Sequence, residues 1–341
     1  MKAAKRIGFA VVGLGSIAQS SVLPAFANCK RARLVALVGR DGKKAKQLAR
    51  KFRADGGYGS DACANCLAHP DVSAVYVATP QGEHEALTVR AAEAGKHVLC
   101  EKPLAATPQQ SARMVAACRQ NGVLLMTAYR KYFEPSTLHL KKLIREGALG
   151  RIDVIHVAFS ELHVPGRSLP WLLDKRLAGG GPLMDLGVYC VNTSRWLVEE
   201  DPVEVSAQSW QHDTARFREV EEGIAFRMDF CSGLVVQATS TYGAAPSSFI
   251  NVQGTKGWAL LAPAFPFDEE RRLTGKIQGC WFEKKFKVVD EFAPELDAFS
   301  AAIQGESKVE PDGRQGHRDV EIIHAIYESA EKLAPVMVKY Q

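Results

Sequence analysis

A chain of 341 residues is too long for one ordinary core and long enough for two domains. Apolar residues make up 46% and charged residues 24%, which excludes a disordered or fibrous chain. Against 38 acidic side chains stand 43 basic ones; the formal +5 is too thin for a nucleic-acid binder and leaves room for a local pocket that takes an anion.

At the N-terminus Lys2, Lys5 and Arg6 precede the apolar stretch 7–12 and mimic a secretion signal, which Gly13 and Gly15 interrupt. No apolar run approaches the roughly 18 residues of a membrane span, so a cytoplasmic chain without membrane contact is expected. From there to residue 128 short apolar runs alternate with helical patterns, as in a parallel sheet with crossover helices. The predicted strands are 7–12, 34–38, 74–78, 97–99 and 123–127; the predicted helices are 17–27, 42–52, 61–68, 83–94 and 108–121. Cys63 and Cys66 form a CxxC in this stretch. The other six cysteines are scattered and offer no second ligand pair, so reduced thiols are expected and no metal.

After Tyr129 the texture changes. A helix is predicted at 135–146, followed by β-rich segments at 152–159, 203–212, 222–230, 234–242, 249–253 and 258–261. A helix at 183–198 interrupts them, and an amphipathic helix at 316–333 closes the chain. Runs of strands with few helices indicate a second, largely antiparallel sheet covered on one face. The expected domains are therefore 1–128 and 129–341, with the final helix 316–333 packing back.

Gly13-Leu14-Gly15-Ser16-Ile17-Ala18 reads GxGxxA between an apolar strand and a helix, the context of a dinucleotide fingerprint. Gly13 permits the tight turn, Gly15 lets backbone approach a pyrophosphate, and Ala18 keeps the helix close to the sheet. The N–H groups around Ser16 and Ile17 are donors for phosphate oxygens. An NAD enzyme places an acid at the end of the second strand. Here Gly39 and Arg40 stand there, followed by Asp41, Lys43 and Lys44. A guanidinium can clamp a 2′-phosphate in two places, so NADP is expected rather than NAD, with Asp41 as the contrary sign.

Glu101-Lys102-Pro103 follows the strand at 97–99, and open α/β sheets bind ligands beyond the carboxyl ends of their strands. Further along stand Ala78-Thr79-Pro80 with His84, Ala128-Tyr129-Arg130 with Tyr132 to Pro135, the run Gly179 to Tyr189, and Gly316-His317-Arg318-Asp319-Val320 through Tyr327. Taken together and in this order, these motifs resemble the glucose–fructose oxidoreductase / inositol dehydrogenase (Gfo/Idh/MocA) family over essentially the whole chain. The resemblance implies an N-terminal Rossmann parallel sheet and a C-terminal α+β domain with a large, mostly antiparallel open sheet. It implies catalysis by Lys102, Asp185 and Tyr189. Many members carry His where Tyr189 stands and Asp where Asn192 stands, so this chain is most similar to the glucose–fructose oxidoreductase branch. Cofactor contacts are implied at Tyr58 (in the loop before the 61–68 helix), Thr79, Pro80, His84, Glu101, Lys102, Arg130 and Trp171. Leu172 departs from the Trp-Arg pair of that branch, and the branch's N-terminal arm is absent ahead of Ile7.

Asp185 and Tyr189 are four apart on a helix, so their side chains share a face. A phenol with a pKa of about 10 is a weak base at neutral pH. A Lys102 ammonium beside it would favour phenolate. Tyr189 would then take a hydroxyl proton as hydride leaves the same carbon, Lys102 would stabilise the oxyanion, and Asp185 would hold the substrate hydroxyl. The expected activity is NADP-dependent hydride transfer to or from a sugar or polyol. A dihydrodiol or another carbonyl compound fits the same fold, because substrate choice lies in the loops 160–176 and 262–280. A non-catalytic NAD(P)-sensing protein is the third reading, and retention of Lys102 and Tyr189 speaks against it. A dimer or tetramer is expected, formed through an exposed sheet face that would otherwise be a large apolar patch.

Overall fold

Short runs bounded by turn residues, mostly apolar except in β3, build the first sheet: β1 (Ile7–Val12), β2 (Ala32–Gly39), β3 (Gly56–Gly59), β4 (Ala74–Val77), β5 (His97–Glu101) and β6 (Leu125–Ala128). All neighbours pair in parallel, in the order β3-β2-β1-β4-β5-β6. The computed structural model describes residues 6–163 and 170–340; Lys2, Lys5 and part of the 160–176 loop lie outside them. Helices Gly42–Phe52, His84–Glu93 and Pro108–Gln120 are the longest of the crossovers that parallel pairing requires. Asp41 opens the first of them, accepting from the backbone of Lys43 at 2.8 Å and of Lys44 at 3.2 Å.

Strand β3 is a departure from expectation. Tyr58 is not in a loop: it pairs with Val38 on β2, at the strand's carboxyl end. Three glycines in the four residues Gly56–Gly59 erased the alternation by which strands are recognised. The predicted helix 17–27 is also shorter and different in kind, a π turn at Ala18–Val22 running into an α turn at Leu23–Ala25.

Contacts divide the described residues into two compact units. One runs to Arg130 and regains Asp290–His317; the other comprises Lys131–Val289 and the part from Arg318 onward. A single boundary near 128 therefore misses a returning segment. Its helix Phe292–Ile303 packs on β2 and on the Ala18–Val22 turn. Asp297 anchors it, accepting from the backbone N–H groups of Lys30 (2.8 Å), Arg31 (2.7 Å) and Ala32 (3.2 Å). Helix Gly313–Lys332 begins in the first unit and ends in the second.

Among its described residues the second unit holds nine strands in the order β14-β13-β12-β11-β7-β10-β9-β8-β15. Their ranges are β7 (Ile152–Ser160), β8 (Pro202–Trp210), β9 (Gly223–Phe230), β10 (Val235–Thr241), β11 (Ser247–Gly254), β12 (Gly257–Ala262), β13 (Arg271–Ile277), β14 (Cys280–Phe286) and β15 (Val336–Met337). β7 and β10 pair in parallel and the other neighbours antiparallel. The inward positions Ile155, Val157 and Phe159 alternate along β7 beneath helix Val188–Val198. Strand β13 occupies part of what was expected to be the 262–280 substrate loop. The hairpin β13–β14 is charged at most outward positions, which hid it among loop residues.

On the opposite face of this sheet His156, Ala158, Ser206, Gln208, Arg227, Gln237, Thr239 and Phe249 line a groove of mixed polar and apolar character.

Candidate functional site

Each unit carries one half of the expected constellation. In the first, Val12 ends β1 and the chain turns at Gly13, whose φ of +96° suits only glycine; a Cβ there would overlap the Ala78 carbonyl. Gly15 and Ser16 are exposed, Ile17 is half-buried, and nothing lies within 4 Å of where a Gly15 side chain would stand. Ala18 is fully buried, as its packing role demands. The turn thus leaves a clear surface over backbone donors, which fits a pyrophosphate.

Gly39 ends β2 next to Val38, the partner of Tyr58, Arg40 follows it, and Arg40, Lys43 and Lys44 are exposed. Among the described residues no carboxylate pairs with any of the three. Asp41, the contrary sign for NADP, is occupied in capping its own helix.

Past β4, Thr79 and Pro80 begin the next turn, and the buried Thr79 Oγ1 has no hydrogen-bond partner. His84 is fully buried. Its Nε2 meets the Thr79 carbonyl at 2.8 Å, and Nδ1 lies 3.2 Å from those of Pro103 and Leu104. Burial lowers its pKa below the usual range and the Lys102 ammonium adds to that, although the three carbonyls oppose both. His84 is therefore a brace between the Thr79 turn and the Lys102 loop, with both ring nitrogens engaged inside the protein. A direct cofactor contact through its ring does not fit this placement.

Glu101 closes β5. Its Oε1 accepts from the Tyr76 hydroxyl at 2.8 Å and Oε2 from the backbone of Lys102 at 3.2 Å. Burial pushes this carboxyl upward, while Lys102, Tyr76 and Arg130 pull it down. Lys102 is partly exposed just beyond the strand, where the peptide to Pro103 is cis. Arg130 is buried, donating to Glu291 Oε2 at 2.5 Å, so its guanidinium is committed within the unit. Beside this pair the carboxyl of the fully buried Glu295 is pushed well above the usual carboxylate range, chiefly by desolvation.

In the second unit Asp185 lies on a π turn, Leu183–Gly187, which passes into helix Val188–Val198 with Tyr189 in its first turn. The segment Gly179–Pro182 leads into it and is held by Glu221, whose carboxylate accepts from the backbone of Gly181 and Leu183, both at 3.0 Å. The Tyr327 hydroxyl donates to the same carboxylate. Tyr189 is buried but for 8%, its ring 5.9 Å from Phe159 and 5.5 Å from Phe265 between centroids. Asp185 is partly exposed and accepts from the Tyr242 hydroxyl at 3.0 Å. Asn192 lies deeper, donating to Asp319, which also pairs with Arg195. Trp171 is half-buried in the turn Pro170–Leu173.

Three side chains that shape these halves, Tyr242, Glu221 and Glu291, carry no local signal. Each lies far in sequence from the residue it serves, and no motif spans the gap. Glu134 is the opposite case, a motif residue that caps helix Pro135–Arg145 through the backbone of Ser136 and Thr137, both at 2.8 Å.

Residues 7–129 match the model described as an oxidoreductase family with an NAD-binding Rossmann fold, and residues 137–260 match the GFO/IDH/MocA C-terminal domain. The chain belongs to the Gfo/Idh/MocA oxidoreductase family. Within it, the chain is 32% identical to a D-xylose 1-dehydrogenase [NADP(+)] of Haloarcula marismortui, across 95% of this chain and 91% of that protein. It is also 32% identical to a trans-1,2-dihydrobenzene-1,2-diol dehydrogenase of Bos taurus, across 67% of this chain and 65% of that one. Among solved structures, the aldose-aldose oxidoreductase of Caulobacter crescentus complexed with glycerol superposes with a TM-score of 0.92. Its identity is 33%, over 98% of this chain and all of that one. This family member is an oxidoreductase with a parallel Rossmann sheet and a second, mostly antiparallel sheet. Among its described residues no helix is long and apolar enough to cross a membrane.

Proposed function

We propose that this chain is an NADP-dependent dehydrogenase or reductase of sugars or polyols, acting at an aldose anomeric hydroxyl or a ketose carbonyl. The observation that carries this reading is Lys102 just beyond the carboxyl end of β5, in a sheet whose first turn is clear above Gly15. Gly13, Gly15, Ser16 and Ile17 would hold the pyrophosphate, and Arg40 with Lys44 the 2′-phosphate. Bound there, the nicotinamide supplies a hydride acceptor or donor. Tyr189 takes the hydroxyl proton at its phenolic oxygen, the Lys102 ammonium stabilises the developing oxygen anion, and Asp185 orients the hydroxyl. This reading requires the two half-sites to face one substrate.

The xylose dehydrogenase and aldose-aldose oxidoreductase likenesses support a sugar. The Bos taurus relative favours a second reading, oxidation of a dihydrodiol. The eight free thiols fit a reducing, cytoplasmic compartment. The assembly in this reading is a dimer or tetramer joined through the exposed face of the second sheet, to be checked by sedimentation.

The deciding experiment follows nicotinamide absorbance with a panel of aldoses, polyols and one trans-dihydrodiol, each with NADP and with NAD. An aldose turned over faster than the diol, with NADP preferred, is expected. Arg40→Ser should weaken NADP roughly tenfold or more and leave NAD unchanged. Lys102→Ala and Tyr189→Phe should each lose at least about a hundredfold in turnover. Near-normal turnover in both variants would remove the mechanism.

A further inference from the structure

Tyr242 follows β10 and is fully buried. Its main chain is pinned on both sides: its N–H donates to the Glu222 carbonyl at 2.9 Å, and its carbonyl accepts from the backbone of His163 at 3.0 Å. The His163 imidazole lies flat on the phenol ring, 3.7 Å between centroids and 14° between planes. Held in this way, the hydroxyl is directed to Asp185 Oδ2 at 3.0 Å.

The other titratable groups around it are spoken for. Glu221 serves Gly181, Leu183 and Tyr327, and Tyr327 donates to it from helix Gly313–Lys332. Tyr189 stands one helical turn from Asp185 and packs on Phe159 and Phe265. His163 has Glu161 within 3.9 Å of Nε2. Desolvation, with Asp185, Glu221 and Tyr327 pushing the same way, raises the Tyr242 phenol well above its ordinary range. It therefore stays a donor at every working pH.

We propose that Tyr242 is a positioning residue: its hydroxyl fixes the orientation of the Asp185 carboxylate and favours its ionised form, and His163 holds the ring that does so. The inference rests on the reading of Asp185 as the group that grips a substrate hydroxyl. An ionised Asp185 accepts from that hydroxyl, whereas a protonated or rotated one does not. One neutral donor to a charged acceptor is enough to separate these states.

The test compares Tyr242→Phe, His163→Ala and Asp185→Asn with the wild-type full chain, using NADP and the best aldose of the panel from pH 5 to 10. Tyr242→Phe should lower kcat by roughly ten- to a hundredfold, move the acid limb of the kcat profile to higher pH, and leave the Kd for NADP unchanged. His163→Ala should move the same limb in the same direction by less, and it covers the case in which the phenylalanine variant does not fold. A bond that merely stabilises the fold would change Tm and leave the profile in place. Unmoved profiles in both variants, with Asp185→Asn inactive, would overturn the role of Tyr242. A wild-type rate in Asp185→Asn would instead overturn the reading beneath it.

Discussion

The Tyr327 hydroxyl donates to Glu221 Oε1 at 2.8 Å, and through that carboxylate it reaches the backbone of Gly181 and Leu183. A residue near the end of the chain thereby fixes the entry to the turn that carries Asp185. Burial raises the Glu221 carboxyl, and the two N–H groups and the phenol hold it down. Gly180 and Gly181, before Pro182, let the backbone approach closely. A Cβ on Gly180 would overlap the Tyr327 hydroxyl, and one on Gly181 the Glu221 main-chain carbonyl.

Gly181→Ala should cost about 1–3 kcal/mol in chemical denaturation, since the carbonyl it meets is backbone and cannot swing aside. Gly180→Ala should cost less, because it meets the far end of a side chain. Its effect should instead show in turnover, through displacement of Tyr327 and then of the Asp185 turn.

The two fingerprint glycines should separate stability from binding. Gly13→Ala forces a side chain onto a φ of +96° and into the Ala78 carbonyl, so its Tm should fall by several degrees. Gly15→Ala meets nothing in the protein. It should keep the wild-type Tm and lose affinity for the dinucleotide, read by titration calorimetry with NADP.

Glu295 should make the first unit less stable as pH rises. Its carboxyl is raised well above the ordinary glutamate value of about 4.5 by desolvation, with Glu101 and Glu291 adding to the effect and Arg130 opposing it. Between about 4.5 and the raised folded value the native state holds a proton that the unfolded chain has lost. Stability therefore falls as pH climbs through that window, by about 1.4 kcal/mol per pH unit. Glu295→Gln keeps the shape and removes the titration. Scanning calorimetry should find the variant more stable than wild type at pH 8, with the difference gone at pH 4.

Strands with continuous or alternating apolar residues were legible from residues alone. The six strands from β7 to β12 were placed to within a few residues, and so was every element of the first sheet except β3. GxGxxA could be read because its chemistry is contiguous: strand, turn and helix start lie within a dozen residues. What stayed hidden depends on contacts between distant segments. Gly56–Gly59 is a strand because β2 offers it partners, not because of its side chains. Helix Phe292–Ile303 belongs with the first unit because Asp297 caps the backbone at Lys30–Ala32, some 265 residues earlier. His84 looked like a ligand-facing residue by its motif, and the tertiary structure turned it inward between three carbonyls. Local pattern decides which face of an element is apolar, because periodicity is a property of neighbours in the chain. The protonation and aim of Asp185, Glu221 and Glu295 are set by desolvation and by donors from other segments, which exist only once the chain has folded.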